Sequence, residues 1–226
     1  MAQPLVRLAG GTASPYTQKM LALLRYRRVP YAITWGQIEQ ACEALELKAV
    51  TDSTPIIRRL EEMYPGRSVL PSDPALAFID YLIEDFADEW CTKYMFHYRW
   101  YPKLDADNAG TLLPLGMDVS LTQAALQQLK QFFTDRQVGR LYVVGSNDVT
   151  APVIDASYRR FLSAMEDHLA NQQFMLGRRP AAGDFGFYGQ LTQLVGFDPT
   201  SRAIAHEVSP RTVAWVDQMD DHSGLD

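Results

Sequence analysis

Pro4-Leu5-Val6-Arg7-Leu8-Ala9, then Gly10-Gly11-Thr12-Ala13, then Ser14-Pro15-Tyr16-Thr17, and one helix length later Val29-Pro30-Tyr31-Ala32-Ile33-Thr34-Trp35, is the stretch whose reading decides the fold. The first six residues are an apolar run of the length of a buried strand. Gly10, Gly11 and Thr12 break it. Ser14 suits a helix N-cap, and Pro15 suits the first helical position, where its missing N–H costs nothing. Met20, Leu21, Leu23, Leu24 and Tyr26 supply an apolar helix face. Arg25, Arg27 and Arg28 stand at the C-terminal end, where cations complement the macrodipole. Val29 to Trp35 reads as a second short strand. The economical interpretation is a βαβ unit with a right-handed crossover.

Working outward, a helix is expected around Gln37 to Leu47. Thr51, Asp52, Ser53 and Thr54 are then candidate caps, and Pro55 starts a helix through Ile56, Ile57, Leu60 and Met63. Tyr64-Pro65-Gly66-Arg67 ends it. Pro65, Pro71 and Pro74 mark a domain linker. Beyond Asp73 the pattern is helical. Asp73 caps a helix whose apolar face is read at Leu76, Ile79, Ile83, Phe86 and Trp90. Ser120 and Gln123 form a capping-box pattern for a further helix. Others are expected through Ile154 to Leu169, from Ala181 to Asp184 onward, and from Ser209-Pro210. Residues 1–70 therefore read as a small α/β domain and residues 73–226 as an all-helical one.

The composition narrows the function classes. The chain has 226 residues, 47% hydrophobic and 21% charged, the balance of a globular protein rather than a disordered one. Lys plus Arg is 21 and Asp plus Glu is 27, a formal charge of −6, which argues against nucleic acid as the main partner. No apolar run approaches ~18 residues, so no membrane span is expected. Met1 to Gly10 lacks the pattern of a secretory signal. Cys42 and Cys91 are far apart and in no CxxC pattern, which excludes a disulfide framework and a four-ligand zinc site. A cytoplasmic location is the natural reading. Asp80, Glu84 and Asp88 form an acidic i, i+4, i+8 stripe. Without a partnering ExxH pattern no metal is expected there, and the stripe reads as solvated or interface-facing.

Three segments carry a family resemblance. Ser14-Pro15-Tyr16-Thr17 resembles the active-site turn of thioredoxin-fold proteins, with Ser in the first Cys position. Thr51-Asp52-Ser53-Thr54-Pro55-Ile56-Ile57-Arg58-Arg59-Leu60-Glu61 resembles the acidic-Ser segment of glutathione transferases. Phe174-Met175-Leu176-Gly177-Arg178-Arg179-Pro180-Ala181-Ala182-Gly183-Asp184-Phe185 resembles the same family's lead into a buried helix. In this order and spacing the chain resembles a glutathione transferase. That implies a thioredoxin-like N-terminal domain followed by an all-helical C-terminal domain, a homodimer, and glutathione as co-substrate.

Two departures from the family pattern matter. Ala181 stands where the family has a Ser or Thr N-cap, and losing that hydroxyl costs about 0.5–2 kcal/mol unless something replaces it. The second lies between Gln37 and Val50, where the fold requires a helix and an antiparallel hairpin. Two strands and a turn alone need about 12 residues. The hairpin is therefore expected to be truncated or missing, which would take strands from the sheet and one wall from the glutathione site.

The resemblance assigns roles to particular residues. Ser14, at a helix N-terminus, would donate a hydrogen bond to the glutathione thiolate, with the helix dipole adding positive potential. On spacing alone Ser14 is an N-cap, and Thr12, Tyr16 and Thr17 are alternative hydroxyls. Tyr16, Asp52 and Ser53 would bind glutathione. Asp52 would take the γ-glutamyl ammonium, and Ser53 with the helix N-terminal amides would take the carboxylate. Capping of the Pro55 helix is the plainer role for the same pair. Between Trp90 and Tyr101 the aromatics occupy two helix faces, which reads as a core helix between domains or as the wall of an apolar pocket. Tyr94, His97 and Trp100 are the candidates for a pocket that takes a small apolar electrophile, with Arg99 a further polar group there. A non-catalytic binding or scaffold protein of the same fold is the alternative. A glutaredoxin-type reductase would require a reactive Cys42 or Cys91.

Overall fold

A computed structural model describes residues 5–36 and 50–225. Strand β1 (Val6–Gly10) pairs in parallel with β2 (Tyr31–Trp35), in a register that sets Val6 against Tyr31 and Gly10 against Trp35. Helix α1 (Pro15–Tyr26) connects them, capped by Ser14 as the sequence requires. Among the described residues these two strands are the whole sheet. The helix expected over 37–47 and the shortened hairpin fall on residues 37–49, outside the described residues. Helix α2 (Ser53–Met63) follows, burying Ile57 and Leu60. The proline-rich connection after it is packed down. Val69 donates its N–H to Glu61 Oε1 at 3.0 Å and accepts from Ala182 N at 2.9 Å.

The remainder is helical, as the patterning predicts. Helix α3 (Pro74–Asp85) runs through a π-helical turn (Phe86–Cys91) into α4 (Thr92–Trp100). Helices α5 (Lys103–Met117), α6 (Gln123–Val138) and α7 (Ala151–Leu169) follow. Helix α8 (Ala182–Leu191) continues through a second π-helical turn (Thr192–Phe197) into α9 (Pro199–Val208) and α10 (Pro210–Met219). Helices α5 and α9 have no counterpart in the sequence reading. The first holds Gly110 and Pro114, which blur its periodicity. The second starts at Asp198-Pro199, the same signal that Asp73-Pro74 gives.

Two local features depart from the sequence pattern. Helix α6 is capped by Thr122, whose Oγ1 accepts from Ala125 N at 3.3 Å, rather than by Ser120. Ser120 is held instead by Asp118 Oδ1, which takes its N–H at 2.8 Å and its hydroxyl at 2.6 Å. The second departure is larger. Helix α3 is turned opposite to its hydropathy. Leu76, Phe78, Ile79, Leu82, Phe86 and Trp90 along α3 and its π turn are exposed. Asp80, Glu84 and Asp88 are 2%, 3% and 8% exposed, so the acidic stripe faces the interior and is not solvated.

Helix α8 is buried on every face and packs against both α1 and α3. Its glycines permit the approach. A Cβ at Gly189 would run into the Pro15 carbonyl oxygen, and one at Gly186 would stand 3.0 Å from the Ala87 methyl. Ala181 offers no cap, but the start of α8 is satisfied by others. Asp184 Oδ2 accepts from Ala181 N at 2.9 Å and its Oδ1 from Met175 N at 2.9 Å. Gly183 N donates to Asp80 Oδ1 at 2.9 Å. The missing hydroxyl is thus replaced by carboxylates from two elements, the reciprocal half of a capping box. Burial outweighs these N–H bonds and pushes the Asp184 carboxyl up to about 7.

Candidate functional site

The start of α1 opens onto a cavity of about 830 Å³. Gly10, Ser14 and Tyr16 line one side, Asp52 and Ser53 a second, and Asp85 and Asp88 of the helical domain a third. Four of these positions, Ser14, Tyr16, Asp52 and Ser53, are expected from two different segments of the sequence to meet here, and the fold brings them together. Ser14 has extended backbone geometry, and its Oγ accepts from Thr17 N at 3.3 Å. An N-cap uses a lone pair, so the hydroxyl proton is left over. No described acceptor takes it. Ser14 can therefore cap α1 and donate into the cavity at once.

Asp52 caps α2, its Oδ1 accepting from Thr54 N at 3.2 Å. Its φ of 76° is unusual for a residue with a side chain and carries a strain of about 1–3 kcal/mol. That conformation turns the chain so that the first amides of α2 border the cavity. Ser53 is only 7% exposed, and its hydroxyl points away from solvent into a buried ionic cluster. Lys19 Nζ lies 3.0 Å from Ser53 Oγ, 2.8 Å from Glu84 Oε1 and 2.6 Å from Asp88 Oδ2. Ser53 Oγ donates to Asp88 Oδ2 at 3.4 Å. Its contribution to a ligand is therefore its backbone N–H. Tyr16 is 41% exposed and donates its hydroxyl to the Asp88 carbonyl at 3.1 Å.

Lys19 was not foreseen. The signal was present, since an ammonium set among Met20, Leu21, Leu23 and Leu24 needs a buried partner, and the acidic stripe on α3 needs a cation. Asp88 Oδ1 has no hydrogen-bond partner although buried, and burial raises the Asp88 carboxyl against the opposing pull of Lys19.

A second cavity of about 350 Å³ adjoins the first. Gly11, Ser14 and Gly36 line both. Its other walls are mostly apolar: Met95, Phe96, Trp100, Leu113 and Phe133. Of the three residues expected to form a pocket, Trp100 lines this cavity, whereas Tyr94 and His97 line neither. Tyr94 Oη accepts from Trp90 Nε1 and pairs with Ser157 Oγ, both at 2.8 Å. His97 is 3% exposed, pairs through Nδ1 with Ser146 Oγ at 2.7 Å and stacks on Tyr101. Burial lowers its pKa to about 4, so at neutral pH it is an uncharged structural group. The helical phase of α4 explains this. Residues 96 and 100 face the start of α1, while 94 and 97 face α7 and the loop at Ser146.

Cys91 is buried, and burial pushes its thiol well up, which makes it a poor nucleophile. Cys42 lies outside the described residues. Among the described residues no group of three His, Cys, Asp or Glu is placed to hold a metal, and no helix is long and apolar enough to cross a membrane.

No protein-family model matches the sequence, and no curated protein matches it. Solved structures do. The Tau class glutathione S-transferase of mango (Mangifera indica) covers 98% of this chain and 91% of its own length, at a TM-score of 0.55 and 17% identity. A glutathione S-transferase of Ceriporiopsis subvermispora, solved in complex with glutathione, covers 98% of both chains at a TM-score of 0.56 and 14% identity. A beta-etherase of Sphingobium sp. strain SYK-6 covers 95% of this chain and 94% of its own at a TM-score of 0.58 and 15% identity. Shared architecture across such different proteins fixes the fold and leaves the reaction open. This chain has the glutathione S-transferase fold, a thioredoxin-like N-terminal domain followed by a helical one.

Proposed function

We propose that the protein is a glutathione transferase. Glutathione lies in the larger cavity, with its sulfur at the start of α1. The Ser14 hydroxyl and the α1 dipole favour the thiolate. Asp52 meets the γ-glutamyl ammonium, and the amides of Ser53 and Thr54 meet the α-carboxylate. Tyr16 closes the side against the helical domain. A small apolar electrophile occupies the second cavity against Trp100, with Tyr94 and His97 holding the scaffold behind that wall. The thiol releases its proton, sulfur attacks the electrophilic carbon, and the electron pair leaves with the departing group or is taken up as a carbanion and protonated. With a peroxide the sulfur instead attacks oxygen, breaking the O–O bond and releasing an alcohol or water, and with a disulfide it attacks sulfur, breaking the S–S bond and releasing a thiolate. The single observation that supports this reading is the position of Ser14, whose spare hydroxyl proton sits where a cavity with polar ends meets an apolar one.

The exposed apolar face of α3 fits a homodimer, because a contiguous run of large side chains is costly to leave in water. Titration calorimetry with reduced glutathione tests the function. The intact protein should bind in the micromolar to low millimolar range, and Asp52→Ala should weaken binding by about tenfold or more, the value of a lost charge-assisted hydrogen bond. No binding by the intact protein would leave the non-catalytic scaffold reading in its place.

A further inference from the structure

We infer that Arg99 is a positioning residue for Ser14, reaching from the helical domain to hold the turn that precedes α1. Arg99 lies on α4 and is 4% exposed. Its Nη1 donates to the Ala13 carbonyl at 2.9 Å. The rest of the guanidinium is fixed within the helical domain. Nε donates to Asp198 Oδ1 at 3.0 Å, and Nη2 donates to Asp198 Oδ2 at 3.1 Å and to Gln193 Oε1 at 2.9 Å. Gln193 is oriented in turn by its own donation to Thr192 Oγ1 at 2.8 Å. The ring of Phe197 lies under the guanidinium, 4.4 Å from ring centre to Cζ.

Four anchors thus fix the plane of one side chain, and the remaining arm is spent on the residue just before Ser14. The turn needs such a hold. Gly10 and Gly11 precede it, its backbone closure is the bond from Ser14 N to the Gly11 carbonyl at 3.1 Å, and the exposed Gln18 side chain adds a bond from Nε2 to the Thr12 carbonyl at 2.7 Å, so Arg99 supplies the hold from the helical domain. Arg99 also lines the apolar cavity beside Ser14. A displacement of about 1 Å at a reacting group can cost on the order of a hundredfold in rate. A lysine cannot substitute, because an ammonium lacks the planar fork that serves Asp198, Gln193 and Ala13 together. The catalytic consequence rests on the transferase reading, while the structural one does not.

The test is the double variant Arg99→Met/Asp198→Leu, which removes both buried charges together so that neither is left unpaired. Asp198→Asn, which keeps the packing and weakens the fork, is measured beside it. Native-state amide exchange is followed at Thr17 and Gln18, whose N–H groups bond to Ser14, with α10 amides as the reference. Exchange at these two amides should rise about tenfold in the double variant and less in Asp198→Asn, with α10 unchanged. Bound glutathione should then titrate at higher pH, and kcat should fall at a nearly constant KM. Wild-type exchange at Thr17 and Gln18 in either variant would overturn the inference. Failure of the wild type to bind glutathione would remove the transferase reading and leave the exchange result to decide on Arg99.

Discussion

Helix α3 carries two faces that contradict their chemistry. The inward face holds Asp80, Glu84 and Asp88, and the outward face holds Phe78, Leu82 and Trp90. Hydropathy alone would turn the helix over. What turns it the observed way is pairing. Lys19 reaches Glu84 and Asp88, and the Gly183 amide reaches Asp80. Reversing α3 would leave a buried ammonium and a bare helix N-terminus, each costing several kcal/mol. Exposing six apolar side chains is a cost that a second subunit can remove. Burial thus follows satisfied charge on the inner face, and the proposed second subunit would cover the outer one.

The orientation of α3 is most sensitive at Lys19. Lys19→Met should leave two carboxylates buried without a cation, and chemical denaturation should show a loss of about 3–5 kcal/mol. A loss below about 1 kcal/mol would mean that the acids do not orient α3.

Asp80 gives an effect of intermediate size. Burial pushes its carboxyl up to about 6, against the opposing bond from Gly183 N. The unfolded chain releases this proton near pH 4. Between those values the folded state holds more protons, so the contribution is complete below about pH 4 and is lost as the pH rises through about 6, by about 3 kcal/mol. Asp80→Asn, which still accepts from Gly183, should show a flatter fall in stability over that window. An unchanged slope would place the charge elsewhere.

The smallest effect on folding belongs to the outer face. Leu82 is 49% exposed. Leu82→Lys should move stability by no more than about 0.5 kcal/mol. In sedimentation, however, the same change should shift the protein from dimer to monomer. A wild type that sediments as a monomer would leave this face without its proposed partner.

The sequence was most informative where a backbone need meets a specific residue type. Ser14-Pro15, Asp73-Pro74 and Ser209-Pro210 each start a helix where the pattern says, since orphan amides and a fixed proline φ act locally. It was least informative where long-range pairing decides. The inward turn of α3 depends on Lys19, 65 residues from Glu84, and no local periodicity records that distance. The same limit applies at the site. Ser14, Tyr16, Asp52 and Ser53 were legible as one group through the resemblance, and they line one cavity. Aromatic and titratable residues suit a pocket, but the phase of α4 turns Tyr94 and His97 toward Ser157 and Ser146. The missing hydroxyl at Ala181 is a local weakness in the sequence, but Asp184 and the distant Asp80, 103 residues from Gly183, complete the α8 terminus.

The enclosure of α8 has a consequence for synthesis. Helix α1 is complete at Tyr26, but the helix that covers it begins at Ala182. At common ribosomal rates roughly 10–30 s separate the two. During that interval Pro15, Lys19 and Tyr26, the positions of α1 that meet Gly189 and Phe185 of α8, have no native cover. The closing of α8 between two helices made long before it therefore comes late, once the chain is nearly complete.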